Sequence, residues 1–271
     1  MPVTAPLDAL RSIMLLVTRI SGILLSENKR QMVENRLSKR LRTLQIDITA
    51  YAELVHGSVS EQTILLDLIC TNHTYWWREH THFLDLQSRV LPMIAQRKDS
   101  TQGVRIWSAA TSSGDEAYSI ALCLLKSSTV MDTSDARVLG TDISTRAIAS
   151  AKLGYYSDEA VSRLESGDHR MALEEGPKSG ERQWEVRPEL KQFVRFARLN
   201  LLDRWPMQGP FDAIFCRNVL IYFDLTIRTK LIERFLPLLA KNGTLYLGHS
   251  ENLSVDDFNL RALGPTIYVR A

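Results

Sequence analysis

The stretch Val104-Arg105-Ile106-Trp107-Ser108-Ala109-Ala110-Thr111-Ser112-Ser113-Gly114-Asp115-Glu116 decides the fold, because a short β-rich run breaks into small residues that open a helix. Small residues at a strand end let the backbone approach a ligand closely. The passage therefore reads either as a tight strand-to-helix turn or as one wall of a nucleotide-type site, and it lacks the full Gly-x-Gly-x-x-Gly pattern that would favour the second. Working outward, β-rich runs recur at 137–141, 193–198, 211–216, 243–248 and 266–269, with helical patterns between them. Such alternation predicts an α/β fold with a parallel sheet and crossover helices. The segment 157–190 is too long for a simple connection. Its turn-rich residues 174–180, followed by the alternating Gln183-Trp184-Glu185-Val186, predict helices and a small β insertion at about 157–192.

Upstream the pattern differs. From Leu7 to about Arg97 apolar residues recur at threes and fours, as in Val33, Leu37, Leu41 and Leu44. That spacing predicts an all-helical N-terminal domain over 1–97, a polar linker at 99–103, and a second domain over 98–271. At 271 residues and 45% hydrophobic content the chain can bury a sizeable core, and a net charge of +2 neither demands nor excludes an anionic partner. Cys70, Cys123 and Cys216 show no CxxC pairing and no nearby histidine at ligand spacing, which predicts no disulfide framework, no metal and a reducing cytoplasm. The apolar stretch 13–25 is interrupted by Arg19 and Gly22, so neither a membrane span nor a signal peptide is expected.

Polar residues gather at the strand ends. Asp142 closes the second run, where a carboxylate can accept both ribose hydroxyls of a nucleotide-type ligand or cap the next helix. Asn200 and Leu201 follow the third run, and Arg217 and Asn218 follow the buried fourth. Four successive strand ends facing one crevice favour a ligand site over four independent loop roles.

The motifs Thr71-Asn72-His73-Thr74-Tyr75-Trp76-Trp77-Arg78-Glu79, Trp107 through Glu116, Thr141-Asp142-Ile143, Phe211 through Phe223 and Gly248-His249-Ser250-Glu251-Asn252 resemble, in order, those of the CheR-type chemoreceptor glutamate O-methyltransferases. The resemblance spans nearly the whole chain. It implies a class I S-adenosylmethionine-dependent methyltransferase fold, a Rossmann-like doubly wound sheet, behind a helical domain. It also implies that Asn72, Thr74, Arg78, Glu116, Asp142, Asn200, Leu201, Arg217 and Asn218 surround S-adenosylmethionine, with Arg78 and Tyr222 nearest the transferred methyl. The family usually carries two phenylalanines where this chain has Trp76 and Trp77, and often a glutamate where it has Asp115.

A glutamate carboxylate, with an ordinary pKa of about 4.3, is already a nucleophile at neutral pH and needs no general base. Positioning is then the enzyme's task, and Arg78 can orient the carboxylate through paired hydrogen bonds, with Tyr222 sharing the load. Without the resemblance, Arg78 reads rather as a surface helix charge and Tyr222 as a core aromatic. His249, Ser250 and Glu251 are expected to be structural. The implied partner is the glutamate-rich methylation helices of chemoreceptors, met by a basic helix face of Arg36, Lys39, Arg40 and Arg42 that otherwise reads as solvated surface. A nucleic-acid methyltransferase shares fold and cofactor, but Cys216-Arg217-Asn218-Val219 stands where base-flipping amino methyltransferases carry an Asn/Asp-Pro-Pro-aromatic motif. A silent S-adenosylmethionine-binding module is disfavoured by the joint presence of Arg78, Asp142 and Tyr222. The product would be S-adenosylhomocysteine, the enzyme a monomer, and the length of the 174–183 loop favours action without docking on a receptor tail.

Overall fold

Arg105–Ala109 forms β1, the strand about which the molecule is organised, in a computed structural model that describes residues 6–97, 103–177 and 183–270. The linker residues 99–102 and the turn residues 178–180 lie outside the described residues, as does part of the loop whose length bears on tail docking.

The described chain opens with helices α1 (Pro6–Ser21), α2 (Arg30–Leu44), α3 (Ile48–Gly57) and α4 (Val59–Ile69). Asp47 and Ser58 start α3 and α4 by accepting from the amides of Ala50 at 2.8 Å and Glu61 at 3.2 Å. The stripe of α2 buries Val33 and Leu37 against Ile13, Val17, Tyr51 and Leu65, with Leu41 and Leu44 at the margin of this core. Residues 70–80 interrupt the helical run as irregular backbone, contrary to the all-helical reading of 1–97. Helicity resumes in α5 (Thr81–Asp85), a π turn over Leu86–Val90 and α6 (Leu91–Ala95). Phe83, Leu86, Val90 and Ile94 pack with Ile106 and Phe215 of the sheet, so the packing breaks near residue 70 while the secondary structure changes near 97.

The large sheet contains β1, β2 (Arg137–Asp142), β6 (Val194–Arg198), β7 (Phe211–Cys216), β8 (Leu239–Leu247), β9 (Leu260–Gly264) and β10 (Ile267–Arg270), in the order β6-β2-β1-β7-β8-β10-β9. The first five positions run parallel and β10 runs antiparallel between β8 and β9. Helices α7 (Asp115–Ser127), α8 (Thr145–Leu153), α11 (Pro188–Lys191) and α12 (Leu225–Phe235) connect the strands. The expected insertion is a three-stranded sheet of β3 (Tyr155–Ser157), β5 (Gln183–Val186) and β4 (Leu173–Glu175), with α9 (Asp158–Val161) and α10 (Ser166–Ala172).

Two strand readings need correction. β8 begins at Leu239 rather than at 243, because a register irregularity between Phe211 and Ala213 carries the turn-like Lys241-Asn242-Gly243 inside the strand. β9 was not expected at all, since Leu260-Arg261-Ala262-Leu263-Gly264 has little β-branched character and pairs only with β10 at the sheet edge. No helix among the described residues is long and apolar enough to cross a membrane.

Candidate functional site

Strand order reverses between β1 and β7, and in open α/β sheets the crevice beyond the carboxyl ends at such a point receives ligands. Ala109 lies level with Thr141 on one side and Cys216 on the other, which brings the β1, β2 and β7 loops to a common edge. A cavity opens there, lined by Asn72, Thr74, Arg78, Glu116, Asp142, Asn200, Leu201, Arg217, Asn218 and Tyr222. Every residue expected around the cofactor or the methyl thus faces one space.

The loop after β1 is contorted to form this wall: Ala110 and Ser112 take φ of 67° and 53°, values that side chains disfavour. Gly114, at φ 93°, sits so close to Ala151 that a Cβ would approach within 2.9 Å of it. Asp142 fastens the loop, accepting from the amide of Ser112 at 2.9 Å and from that of Ser144 at 2.9 Å. The cap of α8 is Ser144, which accepts from Ala147 at 3.1 Å, so the capping alternative for Asp142 is set aside. Burial pushes the Asp142 carboxyl up from the ordinary range, with the Ser144 and Ser112 amides opposing.

Arg217 lies under the opposite wall. Its guanidinium pairs with Glu116 at 3.1 Å and with Glu79 at 3.3 Å, donates to the carbonyl of Arg78, and packs on the Phe83 ring. Burial raises the Glu116 carboxyl, and Arg217 and the Ser108 hydroxyl at 2.7 Å only partly offset it. For Glu79 burial also acts upward, but Arg217, Asn218 and the His249 amide outweigh it and hold the carboxyl below its ordinary value. Glu79 is a site residue that sequence reasoning quoted without assigning a role. The signal was its place directly after Arg78, where φ of 57° turns the side chain back to accept from Asn218 Nδ2 at 3.0 Å.

Glu251 secures the Arg217-Asn218 loop by accepting from the amides of Gly248 at 2.6 Å, Asn218 at 2.8 Å and Ile221 at 3.1 Å. Its replacement by alanine strands three amides. A loss of about 3 kcal/mol or more is expected in chemical denaturation.

The helical domain supplies the remaining wall. Asn200 Nδ2 donates to the carbonyl of Ile20 at 2.8 Å, and the amide of Leu24 donates to the carbonyl of Tyr222 at 2.8 Å. Asp67 of α4 accepts from the Thr145 amide at 2.7 Å at the start of α8. Arg78 is half-buried and donates to the carbonyl of His73 at 2.9 Å, with most of its fork without a hydrogen-bond partner among the described residues, and it rests 5.8 Å from the Tyr75 ring. Cys70 also lines the cavity, but burial, with Asp142 and Asp67 nearby, pushes its thiol up to about 12. Native protein at pH 8 is therefore expected to leave Cys70 unmodified by iodoacetamide, as peptide mass mapping would report.

The basic face of α2 comes out divided. Lys39 and Arg42 are exposed as expected. Arg36 instead donates to the carbonyls of Ile69 and Cys70 and to Thr71 Oγ1 at 3.1 Å, and Arg40 grips Glu61 with two bonds of 2.8 and 2.5 Å. Unpaired carbonyls at the end of α4 and a mostly buried carboxylate draw these two guanidiniums inward. The Trp pair also acquires distinct parts. Trp76 is buried and stacked on Tyr118, while Trp77 donates from Nε1 to Asp168 at 3.1 Å, a bond that phenylalanine cannot make.

The family model described as "CheR methyltransferase, all-alpha domain" matches residues 8–70, and that described as "CheR methyltransferase, SAM binding domain" matches 72–269. A probable chemotaxis protein methyltransferase of Rhizobium etli is 39% identical over 86% of this chain and 88% of its own length. The chemotaxis protein methyltransferase of Escherichia coli is 38% identical over 95% and 89%, and chemotaxis protein methyltransferase 2 of Pseudomonas aeruginosa is 37% identical over 92% and 88%.

Proposed function

The chain belongs to the CheR methyltransferase family, and on that premise we propose that its cavity holds S-adenosylmethionine while a glutamate of a chemoreceptor methylation helix presents its carboxylate at Arg78 and Tyr222. The observation that carries this reading is the single cavity at the switch point, onto which all nine residues carried over as cofactor contacts face. The donor set fits the cofactor. Asp142 ends β2 on the cavity, with a carboxylate suited to ribose hydroxyls, and the Glu116–Arg217 pair offers both signs of charge to a zwitterionic amino acid group. Among the described residues, Thr111 Oγ1 in the loop after β1 is buried without a hydrogen-bond partner, and both members of the Glu116–Arg217 pair line the cavity.

Bound S-adenosylmethionine supplies an electrophilic methyl on a sulfonium leaving group. Arg78 turns its unused donors toward the incoming carboxylate, and the Tyr222 hydroxyl fixes the second oxygen, so that one lone pair points at the methyl. No proton has to be removed. An arginine that paired too tightly with the carboxylate in the ground state would blunt it, and the half-buried, partly solvated place of Arg78 limits that cost.

Calorimetry with S-adenosylmethionine and S-adenosylhomocysteine tests the cofactor assignment. Both are expected to bind, and Asp142→Ala to weaken both, since ribose contacts are common to the two. No heat from either ligand at millimolar concentration would sink the assignment. Labelled methyl transfer to receptor-rich membranes tests the substrate.

Docking on the acidic receptor helices falls to Lys39 and Arg42, the exposed members of the basic face whose other two cations, Arg36 and Arg40, turn inward. Reversing both to glutamate is expected to raise the Michaelis constant for receptor several-fold at low salt, less at high salt, with cofactor affinity unchanged. Kinetics insensitive to the reversal at both salt levels would reduce this face to ordinary surface. We place the enzyme in the cytoplasm as a monomer, with the helices before residue 70 meeting the receptor, the remainder, Arg78 included, performing transfer, and no nucleic-acid partner. Docking needs no receptor tail.

A further inference from the structure

Behind the cavity wall three electron-pair donors converge: Glu79, His82 and His249 each bring one ligand atom within 4.8 Å of the others, with His82 Nδ1 and His249 Nε2 nearest Glu79 Oε2 at 3.7 and 4.0 Å. Sequence spacing hides the group, because the ligands come from α5, the preceding loop and the loop after β8. His82 is fully buried. Its Nε2 lies 3.1 Å from Thr266 Oγ1, whose own hydrogen goes to the carbonyl of Pro265 at 2.7 Å. The threonine oxygen is therefore the acceptor, and Nε2 carries the imidazole proton. That leaves Nδ1 as a bare lone pair, without a hydrogen-bond partner among the described residues. It faces the Glu79 carboxylate at 3.7 Å, acceptor against acceptor. His249 stands at the open side, exposed, with Nε2 4.0 Å from Glu79 Oε2.

We propose that Glu79, His82 and His249 form a binding site for a borderline divalent cation of the zinc, cobalt or nickel class, with a fourth position open to water. Two neutral imidazoles and one carboxylate are a donor set those ions prefer over magnesium or calcium, which select oxygen ligands. The fixed tautomer of His82, held by Thr266, is the orientation that a ligating imidazole requires. Glu79 Oε2 is also the atom that Arg217 holds at 3.3 Å, so an ion here competes with the guanidinium and loosens the pair that supports the cofactor wall. The ion therefore inhibits, a consequence that rests on the methyltransferase reading. The binding site itself does not.

The full chain, cleared of metal by a chelator and free of cofactor, is titrated with Co2+ and followed by visible absorption. One equivalent is expected to give the d–d bands of a low-coordinate site and to be displaced by Zn2+. His249→Ala, at an exposed position that leaves the core intact, is expected to weaken Co2+ at least tenfold, and His82→Gln likewise in protein shown to be folded by circular dichroism. Wild-type Co2+ affinity in His249→Ala, or no bands at one equivalent, overturns the site. If the bands form but methyl transfer keeps its full rate with the site filled, the inhibitory role alone falls.

Discussion

Arg217→Ala is expected to lower the stability of the folded protein by about 3–5 kcal/mol, the range seen when one member of a buried ion pair is removed. The guanidinium is the cation between Glu116 and Glu79, and its side chain is 1% exposed. Without it two carboxylates face each other across a dry gap, and Glu116, already raised by burial, must take up a proton or draw in water. Arg217→Lys should recover only part of the loss, because a single ammonium cannot span Glu116, Glu79 and the carbonyl of Arg78 together. Urea denaturation at pH 7 reads the difference directly. Arg217→Met combined with Glu116→Gln should regain stability relative to Arg217→Met alone, since the two carboxylates no longer repel. An Arg217→Ala protein as stable as the wild type would mean that the pairs seen here carry no net energy.

Arg78→Ala is the complementary case, in which chemistry fails and the fold survives. Its bond to the His73 carbonyl and its place near the Tyr75 ring are partly exposed contacts, worth well under 1 kcal/mol together. If Arg78 aligns the carboxylate, its loss is expected to reduce turnover about a hundredfold at saturating receptor and cofactor, equivalent to about 2.7 kcal/mol. Tyr222→Phe should cost less, on the order of tenfold, because the backbone carbonyl that holds Leu24 is untouched. Cofactor affinity should fall much less than turnover in both. Normal rates in both variants would overturn the alignment mechanism.

The large sheet was legible because its strands are buried β-rich runs that end in polar or small residues, and five of the six expected strands both begin and end within a residue or two of the observed bounds. The sixth, β8, and the unforeseen β9 fail where register irregularity and edge position erase the local signal. The cavity lining was legible through the family motifs and not through any single residue: Asp142 alone looked as much like a cap as a ligand. Partnership was the illegible part. Arg36 and Arg40 sit on the same helix as Lys39 and Arg42, and only the positions of the Ile69 carbonyl and of Glu61 divide them into inward and outward cations. Glu79 likewise owes its role to a left-handed turn and to residues more than a hundred positions away.

The dense pairing of the cofactor wall bears on how such an enzyme can diverge. Asp142, Glu116, Arg217 and Asn218 each serve the local architecture through the same atoms they would offer to a ligand. A change there meets a penalty in folding before any benefit in chemistry, so libraries aimed at altered cofactor analogues should be dominated by insoluble members. Lys39 and Arg42 carry no such double duty, and exposed substitutions usually move stability by no more than about 0.5 kcal/mol. If Lys39 and Arg42 recognise the receptor as proposed, recognition is freer to change than the cavity wall.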